Sequence, residues 1–413
     1  MCVETTAYNF LDDSSSDGSY SPPLGARGRT LRIWHDGADA TSVGVNGVNA
    51  TIWLLARHQA RLGHQVTLLL REVPSDAAIA SAKAVGIRLA FLGGGPLHVS
   101  SNQLAKAAHQ ARPDIVHMHS VFIPRQASLA RHLRAMHIPY ITTPHGGLSA
   151  NVLRHDRIKK AVYARLLERP RCLSAAMLTA AMGEEADLRA FLGPASVPIR
   201  NMPVGVDTEA LGAGQWKQHF SPRRLVFLGR FDVLVKGIDL LLGVAGLMRD
   251  HEFHLYGLPD HATREMLRQL RCGCASNVFF CPPVYGPEKV QVLCDATMYI
   301  QMSRSESFGI SIAEAMHLGV PCAISDQIHL ATAFRNHDLG LLLPPDSAEA
   351  AMLLTRALQS NDQLLRWSQR AKAFASENFD AAPAARRHVD LYREVIAAAN
   401  STLTIPPFAQ PAY

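Results

Sequence analysis

No run of 18 or more apolar residues occurs in the 413-residue chain, so a membrane-spanning helix is not expected. The first residues have no basic cluster leading into an apolar core, so a secretory leader is not expected either. Cysteine is sparse, with seven residues at positions 2, 172, 272, 274, 281, 294 and 322. Four of them fall within 272–294, but their gaps do not repeat the paired spacing of structural zinc sites and no histidine lies among them. Reduced thiols in a cytoplasmic protein are therefore expected, and no metal. Aromatic residues make up only 7%, and they are not interleaved with the basic ones, which argues against a nucleic-acid partner. The dinucleotide fingerprint G-x-G-x-x-G is also missing: the first glycine loop reads Gly44-Val45-Asn46-Gly47. An NAD-dependent dehydrogenase thus lacks its main signature.

What is present describes a globular chain, with 48% hydrophobic and 18% charged residues and a length that suggests two domains. The formal charge of +6 is unevenly placed. Residues 1–205 hold 22 Lys and Arg against 14 Asp and Glu, and residues 206–413 hold 19 against 21. Within 121–171 the count is 10 basic to 2 acidic, which suggests that the first half meets an anionic partner or surface.

Residues 1–28, rich in Ser, Asp, Gly and Pro, read as a disordered lead-in. A strand over 30–34, a glycine loop, a helix over 48–62 and a strand over Gln65–Leu70 make a βαβ unit, so a parallel sheet with a right-handed crossover is expected. Alternation continues through Arg88–Leu92, 101–111, Asp114–His117, 124–136, Tyr140–Thr142, a basic helix over 154–169 and a helix over 184–192. It restarts at Arg224–Leu228 and runs through a helix over 238–248 and strands at Phe253–Tyr256, Val278–Phe280 and Met298–Gln301. Helices near 347–358, 362–376 and 384–398 and a Pro-rich tail follow. Two such runs argue for an α/β chain of two doubly wound, Rossmann-like domains, 29–205 and 206–384.

Residues 303–326 carry the densest chemistry. Glu306 lies in a Ser-rich turn before a helix, and Glu314 follows about two turns inside it. Ser305 and Ser307 are candidate N-caps, and Phe308 and Gly309 let backbone amides approach a ligand at the positive helix end. The alternative is an ordinary capped helix with both acids solvated. Arg230 follows a strand end and Lys236 precedes a helix, so both cations could converge on a diphosphate, or else lie in a surface loop. Gly47 could let the backbone approach phosphate at a helix N-terminus. His145, in Pro144-His145-Gly146-Gly147 after a strand, could donate a hydrogen bond to a substrate hydroxyl, or be a solvated loop residue.

The order of these features, a Gly-rich loop, Pro-His-Gly, Gly-Arg…Lys-Gly and Glu-x7-Glu, resembles the retaining, nucleotide-sugar-dependent glycosyltransferases of the GT-B fold, family 4. The resemblance runs from about residue 31 to 395. Leu62-Gly63-His64-Gln65-Val66, Pro113-Asp114-Ile115-Val116-His117 and Leu339–Asp346 add to it. Thr143–Leu153 with the basic helix after it is similar to bacterial exopolysaccharide and lipopolysaccharide enzymes. The resemblance implies two domains facing across a cleft, with a C-terminal helix, 385–400, packing back on the first domain before a tail at 401–413. It implies a UDP- or GDP-linked sugar as co-substrate, with no other cofactor and no metal.

The same resemblance gives roles to matching positions. Arg230 and Lys236 clamp the diphosphate and stabilise the leaving charge. Glu314 accepts the ribose hydroxyls, and Glu306 with the amides of Phe308 and Gly309 holds the sugar and phosphate. Gly47 approaches the diphosphate, His145 faces the transferred sugar, and residues around Pro283–Tyr285 border the base. Transfer is front-face, with the departing phosphate oxygen taking the acceptor proton. The sequence departs from the family at Val204 in the linker, at Asn46 and at Ser307, without removing a charged group.

The implied function is hexose transfer to a bacterial surface-glycan acceptor, lipid-linked, at the inner face of the cytoplasmic membrane. The alternatives are another GT-B enzyme with a soluble acceptor, of epimerase or synthase type, and a catalytically silent sugar-nucleotide-binding protein. Residues Arg154–Arg171 alternate cations with apolar positions, which suits a helix lying on anionic lipid. The other reading packs Ile158, Val162 and Leu166 inward on a solvated helix.

Overall fold

Short, largely buried runs build two separate parallel sheets. The computed structural model describes residues 29–40, 47–149, 152–153, 157–181, 183–194, 197–218 and 223–403. The expected lead-in 1–28, Gly44, Asn46, Arg154 and the tail from 404 onward lie outside the described residues.

The first sheet holds β1 (Arg32–Asp36), β2 (Gln65–Leu70), β3 (Ile87–Phe91), β4 (Ile115–His119), β5 (Tyr140–Thr143), β6 (Met177–Ala180) and β7 (Ile199–Asn201), in the order β3-β2-β1-β4-β5-β6-β7. The second holds β8 (Arg224–Leu228), β9 (Glu252–Tyr256), β10 (Val278–Cys281), β11 (Met298–Gln301), β12 (Cys322–Ser325) and β13 (Leu341–Leu343), in the order β10-β9-β8-β11-β12-β13. The strand order reverses between β1 and β4 and again between β8 and β11. In doubly wound sheets the crevice at such a switch point, beyond the strand C-termini, is where ligands bind.

Strand β1 begins two residues later than the sequence suggests. Its entry is tied elsewhere: the N–H of Leu31, just before it, donates to His64 Nδ1 at 3.1 Å, and the N–H of Arg32, its first residue, donates to Asp114 Oδ2 at 2.8 Å. Strand β4 runs on through His119, because its two histidines are buried like the apolar residues beside them. Helices Asp76–Ala84 and Ala331–His337 were not legible as separate periodic segments.

The expected basic helix is broken into Arg157–Tyr163, a π-helical turn Ala164–Glu168, and Arg169–Leu173. Pro170 lacks the N–H that a regular helix would donate one turn back, and the wider turn precedes it.

The last helix, Ala381–Leu403, leaves the second unit at a bridge between Val206 and Asp380. It then packs Val389, Leu391, Tyr392 and Val395 against Leu31, Ile33, Ile115, Ile141 and Met202 of the first. Each fully buried aliphatic side chain there contributes about 1.5–3 kcal/mol. No helix among the described residues is long and apolar enough to cross a membrane.

Candidate functional site

On the second sheet, β8 ends at Leu228 and hands over to Gly229-Arg230. The Arg230 guanidinium is half exposed and donates to Asp260 Oδ2 at 2.6 Å. Asp232 caps the short helix Val233–Lys236 by accepting from the N–H groups of Leu234 and Val235. Gly237 ends that helix at φ +63°, where an added Cβ would lie 2.0 Å from the Met302 carbonyl oxygen. Only glycine fits, and the tight approach brings Lys236 beside the turn after β11. There Lys236 Nζ is ion-paired with Glu306 Oε2, which also accepts from Gln301 Nε2 at 3.0 Å.

Helix Ile310–His317 starts at Gly309, in the left-handed region, and no side chain caps it. Ser305 and Ser307 were candidate caps; the helix begins too late for either to serve. Ile312 and Ala313 donate to the Gly309 carbonyl, and with no side-chain cap the amides ahead of them are left for a ligand at the positive end of the helix. Phe308 is buried, its ring set edge-on to Phe379 at 4.9 Å, so its side chain belongs to the core and only its backbone faces the turn. Glu314 is nearly buried and ion-paired with Lys289 Nζ at 2.5 Å. Tyr285 is exposed and flanks the start of helix Gly286–Cys294. The structure brings Lys236 to Glu306, whereas Arg230 and Glu314 hold other partners.

The first unit meets this turn from the other side. Gly47 opens helix Gly47–Arg61, and a Cβ on it would lie 3.2 Å from Ile310 Cδ1. Gly146, at φ +76°, approaches Ser307 so closely that a Cβ would lie 2.7 Å from the serine Cβ. Ser149 Oγ and Ser305 Oγ are 3.3 Å apart. Two helix N-termini thus face one another across the cleft, with the 303–309 turn against the 145–149 turn. Glu184 is fully buried and pins the second turn, accepting from the N–H groups of Gly146 and Ala181. Burial raises its pKa above the usual carboxylate range.

Behind His145 lies a row that parallel register sets on one face of the first sheet. His35 pairs with His117, and His119 with Thr143, while a two-residue step along β4 returns to the same side. His35 Nδ1 is 3.0 Å from His119 Nε2, and His119 Nδ1 is 3.0 Å from His145 Nε2. His35 Nε2 meets Gln59 Oε1 at 2.8 Å. His117 bonds Tyr392 of the last helix through Nδ1 at 2.7 Å and Thr143 through Nε2 at 2.6 Å. Burial lowers the pKa of His35 and His145 to about 4, and puts His117 and His119 well below the ordinary value.

Nitrogens of His35, His117 and His119 lie within 4.8 Å of one another, close enough to hold a metal ion. Each of their six ring nitrogens, however, already has a hydrogen-bond partner. Sequence reasoning found His145 but missed this row, although His117-Met118-His119 inside an apolar strand was its visible signal. Nothing comparable marked Glu184 or Lys289.

The basic segment divides into two faces. Ile158, Val162 and Leu166 are 82%, 54% and 65% exposed, so the reading that packs them inward fails. Lys159 and Arg165 are exposed beside them. Arg171, placed by the sequence in the lipid-facing stretch, is buried and ion-paired with Glu168, which also accepts from the Phe122 N–H at 3.0 Å. Its charge is spent on anchoring the segment.

Comparison with known proteins places these features in a group. Residues 45–210 match the model described as Glycosyltransferase Family 4, and residues 222–360 the model described as Glycosyl transferases group 1. The chain is similar to a phosphatidyl-myo-inositol mannosyltransferase of Mycobacterium leprae, 30% identical over 52% of this chain and 57% of that protein. It is also similar to a GDP-mannose:cellobiosyl-diphosphopolyprenol alpha-mannosyltransferase of Xanthomonas campestris, 26% identical over 60% of this chain and 66% of that protein. Among solved structures, a sucrose-phosphate synthase from Thermosynechococcus elongatus superposes with a TM-score of 0.69 at 19% identity, covering 89% of this chain and 100% of that one.

Proposed function

We propose, for a chain that belongs to the family 4 glycosyltransferases of the GT-B fold, a retaining transfer of a hexose from a nucleotide diphosphate sugar to a lipid-linked acceptor. The observation that carries the reading is the Lys236–Glu306 pair, set before an uncapped helix N-terminus and facing Gly47 and Gly146 across the cleft. In the proposed complex the donor diphosphate takes Lys236 from Glu306 and Arg230 from Asp260. Both cations then stabilise the negative charge that grows on the leaving group. Released from Lys236, Glu306 holds the sugar hydroxyls with the amides of Phe308 and Gly309. Glu314 holds the ribose, Tyr285 borders the base, and Gly47 gives the diphosphate room.

The anomeric carbon–oxygen bond to the diphosphate breaks as a bond to the acceptor oxygen forms on the same face. The acceptor proton passes to the departing phosphate oxygen. Orientation and fixed charge are the protein's contribution, with Arg230 and Lys236 supplying the positive charge.

A lipid-linked acceptor is supported by the exposed Ile158, Val162 and Leu166 with Lys159 and Arg165 beside them. The printed names of two relatives also specify lipid acceptors and mannose. The proposed place of action is the inner face of the cytoplasmic membrane, with this stripe against anionic lipid. The test presents GDP-mannose and UDP-hexoses with vesicles carrying phosphatidylinositol or a polyprenyl-diphosphate glycan. One sugar should enter the lipid phase for each nucleoside diphosphate released. Release with no sugar in the lipid would contradict the acceptor class.

A further inference from the structure

The hydrogen bonds behind His145 have a direction. Gln59 turns its carbonyl Oε1 to His35 and its amide Nε2 to the Tyr392 hydroxyl, at 3.2 Å. A carbonyl oxygen only accepts, so the His35 proton sits on Nε2. A neutral imidazole carries one proton, which leaves His35 Nδ1 bare. The contact to His119 then requires His119 Nε2–H as donor, and the next contact requires His145 Nε2–H as donor. His145 is left with Nδ1 unprotonated. No hydrogen bond reaches that atom among the described residues. His145 lines a hollow with Thr51, Gly205 and Ala381 where the chain enters the last helix, and the next residue, Gly146, packs on Ser307 beside Glu306.

The other arm obeys the same amide. Its N–H donates to Tyr392, whose hydroxyl donates to His117 Nδ1. His117 Nε2–H then donates to Thr143, which pairs with Thr179. Turning the Gln59 amide over would reverse every bond in both arms, and His145 Nδ1 would carry a proton instead of a lone pair.

We propose that Gln59, acting through His35 and His119, sets the tautomer of His145 so that its bare Nδ1 accepts a hydrogen bond from a hydroxyl of the transferred sugar. Gln59, His35 and His119 are positioning residues, since none of them touches the sugar. The identity of the ligand rests on the glycosyl-transfer reading, whereas the tautomer does not. A sugar hydroxyl donating to this nitrogen keeps its own oxygen lone pairs for other donors, which an N–H at the same place would occupy.

Protein labelled with 15N at histidine tests the chain without substrate, through long-range 1H–15N couplings, with His145 assigned by its loss in His145→Asn. At neutral pH, His145, His119 and His35 should each carry one proton, on Nε2. A proton on His145 Nδ1, an averaged ring, or one equivalent of bound metal in the purified chain would overturn the proposal.

Gln59→Met keeps the shape and removes the carbonyl. It should abolish the single tautomer of His145 and lower kcat about tenfold, the equivalent of one hydrogen bond, with donor KM within about twofold. A His145 tautomer unchanged in Gln59→Met would overturn the proposal even if kcat fell, because a purely structural role predicts that outcome. Wild-type protein with the expected tautomers but no sugar transfer would count against the proposed function, and not against the assignment of the protons.

Discussion

Lys236 is the residue on which most of the site turns. It shares a partly buried ion pair with Glu306, and Gly237 fixes its place because no other residue fits against Met302. Lys236→Ala leaves Glu306 with Gln301 as a partner, so the fold should survive. Removing a preorganised charge at a reacting centre costs about 100- to 1,000-fold in rate. The expected outcome is therefore a fall of that order in kcat/KM with an unchanged unfolding midpoint; unchanged turnover would remove Lys236 from the machinery. Spacing alone left the residues in Gly-Arg…Lys-Gly and Glu-x7-Glu open; they were legible because their order along the chain resembles that of the family. Their present partners were not, since Asp260 and Lys289 reach Arg230 and Glu314 through tertiary packing that no local pattern encodes.

At the scale of elements, the basic segment and the last helix do different work. Glu168 and Arg171 anchor the segment, leaving Ile158, Val162 and Leu166 exposed on it. A fully buried side chain of this kind gains about 1.5–3 kcal/mol, and each nearby cation about 1 kcal/mol on anionic lipid. Replacing Ile158 and Val162 together by Asp should weaken binding to anionic vesicles by at least about tenfold. Donor hydrolysis and thermal stability should not change. Equal vesicle binding by this variant and the wild type would contradict the membrane role. The alternation of cations and apolar residues was readable in the sequence. That Arg171 turns inward was not, because the π turn before it shifts the helical phase.

The last helix ties the histidine row to the other unit. His388 lies buried in the same cluster, its pKa lowered to about 4 by burial, as are those of His35 and His145. His117 and His119 are also held well below the ordinary value, by burial first and then by the neighbouring rings. The unfolded chain takes up protons on these rings below about pH 6.5, whereas the folded chain refuses them down to about pH 4. Above about pH 6.5 the rings are neutral in both states and stability is flat. As pH falls through that window, each refused proton removes about 1.4 kcal/mol per pH unit. The urea midpoint should thus be constant near neutrality and drop steeply towards pH 4. A midpoint independent of pH across the window would show that the row is solvated.

For the whole molecule, two doubly wound sheets present their switch points to a common cleft. Alternating strands and helices revealed the sheet class, because strands buried on both faces read as short apolar runs between glycine turns. Gly146 against Ser307 and Gly47 against Ile310 emerged only in three dimensions. The resemblance already implied that the last helix crosses back; its partners there, Leu31 and Ile33 among them, are far from it in sequence and no local pattern named them.

The central claim is retaining transfer of a sugar from a nucleotide donor, and one measurement tests it most directly. NMR of the purified product should show the donor's anomeric configuration in the new linkage, with one nucleoside diphosphate released per sugar transferred. An inverted linkage, or diphosphate release without a glycosylated product, would contradict the account.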